Sequence, residues 1–167
     1  FKTLHALSFA RLGLKKSNVM QPEHYEDIGR RVGIEVTVFT NGEEKTGFVD
    51  SDSEYFNIIN AARIKEIDVI DEYNTDMYSD QIDKRQLKIL RDEVINYKKA
   101  YGLVDFTDMI EKFNESKLCP EFDVIFVDEA QDLSPIQWKM FDILKTHSKH
   151  IILAGDDDQA IYGWAGA

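Results

Sequence analysis

The sequence predicts an α/β fold, a parallel sheet with flanking helices beside a mainly helical subdomain. Two apolar runs, Val124–Val127 and Ile151–Ala154, have the length of strands and end in polar residues. Between them lies a helix from Pro135 to about Leu144, and strand, helix, strand with short connections is the right-handed βαβ unit of a parallel sheet. Upstream, apolar residues recur at helical spacing over 52–72 and 81–101.

Each element has its own local reason. Phe1 to Leu14 reads as a helix capped by Thr3, with Leu4, Leu7, Phe9, Ala10 and Leu14 apolar and Gly13 weakening its end. Pro22 to Val32 forms a second helix, with Glu23 and Asp27 early and Arg30 and Arg31 late, as the helix dipole favours. Glu35 to Thr40 alternates β-branched residues and runs into Asn41-Gly42, the signal of a small hairpin. From Asp52 to Glu72 the stripe Tyr55, Phe56, Ile58, Ile59, Ala62, Ile67 and Ile70 predicts one helix, started by Ser51 or Ser53. A polar linker over Asn74–Asp80 leads to a long helix, Gln81 to Tyr101, that buries Ile82, Leu87, Leu90, Val94 and Tyr97 and stops at Gly102. Asp105 caps the next helix, and strands Asp123–Val127 and His150–Ala154 close the pattern.

A chain of 167 residues can bury a full core, as one domain or as a domain carrying a subdomain. Its 31 acidic and 20 basic residues give a net charge of −11, the wrong overall sign for gripping phosphates by charge alone. Phe1 to Asn18 nevertheless carries Lys2, Arg11, Lys15 and Lys16 and no acid, while Asp50 to Asp83 is strongly acidic. That contrast suits a limited basic track for DNA, and equally a solvated helix face. Cys119 is the only cysteine, which excludes an internal disulfide and a cysteine-based zinc site. His5, His24, His147 and His150 are not spaced as metal ligands. No signal-peptide pattern and no stretch of bilayer-spanning length occurs, so a cytoplasmic protein with no membrane partner is expected.

The chemistry concentrates after the first apolar run, where Asp128-Glu129-Ala130-Gln131 puts adjacent carboxylates at a strand end. Open α/β sheets bind ligands there. One carboxylate can hold hydrated Mg²⁺ near triphosphate oxygens while its neighbour orients or deprotonates a water, the Walker B arrangement. Taken alone, such a pair is also an ordinary acidic turn. The second run leads into Gly155-Asp156-Asp157-Asp158-Gln159-Ala160-Ile161-Tyr162-Gly163-Trp164. Together with Asp132 and the early Thr3-Leu4-His5, these motifs resemble the UvrD/Rep-like branch of superfamily 1 helicases. The likeness is close over the last third, loose over the first dozen residues and scarcely present in the middle.

The resemblance implies a partial RecA-like ATPase domain from residues 1–18 and 105–167, the latter with the Walker B box, and an inserted helical subdomain from 19–104. It implies ATP and Mg²⁺ as cofactors, single-stranded DNA and its junctions with duplex as partners, 3′ to 5′ movement, and work in DNA repair or replication. Asp128 becomes the Mg²⁺ ligand, through water, and Glu129 the water-activating base. Gln131 holds nucleotide or the attacking water, or else bonds the backbone; Asp132 is either catalytic or the cap of the following helix. Gln159 reports the γ-phosphate, and Asp156 to Asp158 serve as turn residues and outer ligands. Thr3 and His5 contact the single-strand backbone, with a plain helix cap as the competing role of Thr3. Tyr162 and Trp164 face DNA, Trp164 either stacking on a base, worth roughly 1–3 kcal/mol, or packing in the interior. Trp138, Tyr97 and Tyr101 are assigned to packing.

The family's usual Arg after that aromatic is Ala165 here, which removes a cation from the site. The phosphate loop Gly-x-x-x-x-Gly-Lys-Ser/Thr does not occur in these residues, nor do the second motor domain's arginine fingers. The chain is therefore expected to be a piece of a larger helicase, inactive alone. Two alternatives stay open: a Mg²⁺-dependent phosphohydrolase or nuclease built on Asp128, Glu129 and Asp156 to Asp158, and a non-catalytic binding module.

Overall fold

A computed structural model describes residues 2–36, 54–75 and 82–156. The hairpin expected at Asn41-Gly42 lies outside them, as do Gln159, Tyr162, Trp164 and Ala165 and most of the polar linker. The described residues form α1 (Leu4–Arg11), α2 (Pro22–Val32), α3 (Glu54–Lys65), α4 (Val69–Tyr73), α5 (Lys84–Tyr101), α6 (Phe106–Glu115), β1 (Phe122–Val127), α7 (Pro135–Thr146) and β2 (Ser148–Leu153). Short 3₁₀ turns occupy Lys16–Asn18 and Ala130–Asp132. The chain is thus mixed α/β, a partial RecA-like parallel sheet with flanking helices and an inserted helical part. It divides into two compact units, one made of residues up to Leu14, Ile64–Glu66 and everything from Thr107 on, the other of Lys15–Arg63 and Ile67–Phe106.

In the first unit β1 and β2 pair in parallel, with Ile125 opposite Ile151, Phe126 opposite Ile152 and Val127 opposite Leu153. The intervening α7 starts where Ser134 forms a reciprocal capping box with Gln137, Pro135 standing at the first turn. Ser134 therefore takes the capping role considered for Asp132, which sits in the preceding 3₁₀ turn. Ile136, Met140 and Leu144 of α7 join Ile110 and Phe113 of α6 in one core, with Leu4, Leu7, Phe122 and Ile125 packed against it.

The strands, legible as apolar runs, are covered on one face only. Phe126 is 72% exposed, and Val124, Ile152 and Leu153 are exposed as well. Side chains alternate along a strand, so the core packs against Ile125 while the face of Val124, Phe126 and Ile152 stays open; Leu153, on the side of Ile125, is exposed at the end of β2. Such a two-faced apolar pattern belongs to a sheet flanked on both sides.

The second unit is helical. Met20, Ile28, Phe56, Ile58, Leu87, Leu90, Val94 and Tyr97 form its core, so the predicted stripe of α5 faces inward. Asp83 accepts from the backbone N–H of Arg85 at 2.6 Å and of Gln86 at 3.1 Å, and so starts α5 three residues after the expected Gln81. Gly102 ends the helix in the left-handed region at φ 64°. The single helix predicted over 52–72 is two. Glu66 turns left-handed at φ 58°, the N–H of Ile67 reaches back to the Ala62 carbonyl at 3.0 Å, and Asp68 caps α4. Asp105, expected only to cap α6, accepts from Arg63 at 2.7 Å and Lys98 at 2.8 Å.

Candidate active site

The pairing of β1 and β2 continues past the strands and fixes the loops beyond them. Ala154 donates its N–H to the Val127 carbonyl at 2.8 Å, and Ala130 donates to the Ala154 carbonyl at 2.9 Å. The ends of both strands are thereby tied main chain to main chain, which brings Asp128-Glu129-Ala130-Gln131 beside Gly155-Asp156.

Within this loop Asp128 and Glu129 are exposed, while Ala130 is buried. The Glu129 N–H donates to Asp128 Oδ1 at 3.1 Å. Glu129 itself is left-handed, with φ 53° and ψ 45°. A side chain with a Cβ costs roughly 1–2 kcal/mol there, and such positions cluster at functional sites.

Gln131 spans the loop. Its Nε2 donates to Glu129 Oε2 at 2.6 Å, and its Oε1 accepts the Asp156 N–H at 3.1 Å. Gly155 supplies the room, because a Cβ on it would stand 2.7 Å from Gln131 Oε1 and 3.3 Å from the backbone nitrogens of Ala130 and Gln131. Sequence reasoning passed over Gly155; the available signal was a glycine directly after a strand. Asp132 carries a buried Oδ1 with no hydrogen-bond partner among the described residues.

Thr3 caps α1, its Oγ1 accepting from the Ala6 N–H at 3.1 Å. His5 is half-buried on the same helix, and that burial lowers its pKa below the ordinary 6.5. Both belong to the unit that holds the strand-end loop. The structure thus joins Asp128, Glu129, Gln131 and Asp156 directly, whereas Thr3 and His5 share only their core. Trp138 packs edge-on against Phe141, and Tyr97 and Tyr101 lie against each other and against Arg31.

Among the described residues no three His, Cys, Asp or Glu side chains gather to hold a metal ion, and no helix is long and apolar enough to cross a membrane. A Mg²⁺ ion needs no such cage when a nucleotide is present, since one or two carboxylates plus phosphate oxygens and waters complete its shell. An exposed Asp128 fits that requirement better than it fits a dedicated multi-carboxylate centre.

DNA helicase II of Haemophilus influenzae is 41% identical over 75 residues, covering 40% of this chain and 10% of that protein. ATP-dependent DNA helicase Rep of Buchnera aphidicola is 34% identical over 80 residues, 42% of this chain and 12% of its own. A probable DNA helicase of Mycoplasma pneumoniae is 31% identical over 132 residues, 74% of this chain and 25% of its own. The chain therefore spans between a tenth and a quarter of the length of these relatives. The UvrD/REP helicase N-terminal domain matches residues 8–167, a stretch that takes in both units, the paired strands and the loop joined by Gln131. On that match this chain belongs to the UvrD/REP helicase family, within its N-terminal domain.

Proposed function

We propose that this chain forms part of the first motor domain of an ATP-dependent DNA helicase that moves 3′ to 5′ along single-stranded DNA in the cytoplasm. The observation that carries the reading is the pair Asp128 and Glu129 at the end of a parallel strand, with Glu129 held left-handed and its carboxylate engaged by Gln131. In this reading the unit with β1 and β2 is the ATPase part, and the helical unit is an insertion within it. The open face of Val124, Phe126 and Ile152 supports a further layer packed on that side of β1 and β2. The phosphate loop, absent from these 167 residues, comes from elsewhere in that enzyme.

Phosphoryl transfer asks the protein chiefly to place charge. Asp128 would hold Mg²⁺, which would supply positive charge to offset that of the phosphates. Glu129 aligns the attacking water and accepts its proton. Gln159 senses the γ-phosphate, while Trp164 stacks on a base with Tyr162 beside it, so one short segment feels both ligands. Thr3 and His5 serve the single-strand backbone.

The test is Glu129→Gln in the complete enzyme. The amide keeps the shape but accepts no proton, so ATP turnover should fall by on the order of 10² or more with nucleotide affinity largely retained. An unchanged turnover number rejects Glu129 as the catalytic carboxylate.

A further inference from the structure

Gln131 is a side chain whose two polar ends are both used within the protein. A primary amide offers donors at one end and an acceptor at the other. The assigned orientation is the only one that suits its neighbours: turned over, its oxygen would face the Glu129 carboxylate and its NH₂ would face the Asp156 N–H. Placed as it is, a donor meets a carboxylate at 2.6 Å and an acceptor meets a peptide N–H at 3.1 Å. Gly155 lies against the same oxygen so closely that a Cβ would approach it to 2.7 Å, and a side chain there would push the amide aside. The backbone bonds from Ala154 to Val127 and from Ala130 to Ala154 brace both sides of the bridge.

We infer that Gln131 is a positioning residue whose amide links the Glu129 carboxylate to the Gly155–Asp156 peptide, so that the carboxylate's direction and the exit of β2 are set together. The inference rests on the hydrolytic role proposed for Glu129, and it moves Gln131 from contact with nucleotide to action through its neighbour.

The physical need is plain. Glu129 is exposed, and its long side chain has rotatable bonds that water alone would leave unfixed. A bond to an ionised oxygen is stronger than one between neutral groups, and here it holds Oε2 while leaving Oε1 to act on water. The other end of the bridge lies three residues before Gln159 in the chain. Displacing the β2 exit therefore turns the Glu129 carboxylate through Gln131. A direct nucleotide contact by the same amide would have to use its second N–H or the second lone pair of its oxygen.

The experiment measures DNA-stimulated ATPase in the complete helicase for Gln131→Ala, Gln131→Met, Gly155→Ala and Glu129→Gln, and for Gln131→Ala combined with Glu129→Gln. Misaligning a catalytic group lowers turnover without loosening substrate, so Gln131→Ala should reduce kcat by roughly 10- to 100-fold with KM for ATP within about twofold. Gly155→Ala should do the same although it adds only a methyl group, because that methyl displaces the amide. Adding Gln131→Ala to Glu129→Gln should change kcat by less than about twofold, since the group it acts through is already lost. Melting temperatures accompany each variant, and Gln131→Met, of similar length, carries the test if the alanine variant does not fold.

A raised KM with unchanged kcat would overturn the inference in favour of nucleotide contact. Full multiplication of the two losses in the double variant would overturn it in favour of an independent role. If Glu129→Gln abolishes turnover while the Gln131 and Gly155 variants stay within twofold of the parent, this inference alone falls. If Glu129→Gln leaves turnover intact, the helicase reading of the site falls and takes the inference with it.

Discussion

Glycine and alanine at position 129 separate the backbone of the strand-end turn from its carboxylate. Both substitutions delete the bond to Gln131, so that loss cancels between them. They differ in how they meet φ 53° and ψ 45°. Alanine keeps the clash of Cβ with the following carbonyl, roughly 1–2 kcal/mol, which glycine lacks. Glycine instead has the more disordered unfolded chain, a penalty of about 0.4–1 kcal/mol. Subtracting the second from the first leaves Glu129→Gly more stable than Glu129→Ala by about 1 kcal/mol, the reverse of their order in a helix. Equilibrium urea denaturation checks this, with the fluorescence of Trp138 reporting on the unit that holds the turn. With a urea slope of about 2 kcal/mol per M, the glycine midpoint should lie roughly 0.5 M higher. Equal midpoints, or a more stable alanine variant, would refute the left-handed turn. If both variants also lose turnover in the complete enzyme, a strained Glu stands where glycine would be more stable, and function explains its presence.

Gly29→Ala in α2 should destabilise by about 1–2 kcal/mol despite the usual gain of alanine within a helix. Its Cβ would come within 2.7 Å of the Ile34 carbonyl and 2.5 Å of Val36 Cγ2, and a backbone carbonyl cannot turn aside; a raised melting temperature would show that the segment after α2 yields freely. His5 makes stability fall in acid. Burial lowers its pKa in the folded protein, so the unfolded chain binds the proton more readily, and stability is full above about pH 6.5 and declines as pH drops toward the lowered folded value. His5→Gln should flatten that decline between pH 7 and about pH 5.5, and identical urea midpoints against pH for both proteins would count against it.

The signals that could be read from the sequence act within a turn or two of the chain. Thr3 and Gly102 bound their helices through bonds to residues at most four positions away, whereas the cap at Asp83 and the capping box of Ser134 and Gln137, equally local, were passed over for Gln81 and Asp132. The stripe of α5 needed only helical spacing. Where spacing persisted across a break, reading failed: Ile67 and Ile70 continue the pattern of α3, yet Glu66 turns left-handed directly after that helix and Ile67 is left 42% exposed. The strands were legible as apolar runs, but whether one face or two is covered depends on how many layers surround them, which no run encodes.

At the site the division is the same. The order Asp128-Glu129 after an apolar strand was visible in the chain, and family membership followed from motifs in sequence. The bridge from Glu129 to Asp156 depends on the bond between Gln131 and Asp156, 25 positions apart, and exists only because β1 and β2 pair with Val127 opposite Leu153. A slip of one residue would turn every side chain of a strand to the other face and move that loop from its partner. The sequence by itself determined which groups are available at the strand ends; the register of the folded sheet decided which of them touch, because hydrogen bonds form over about 3 Å and not over 25 residues of chain.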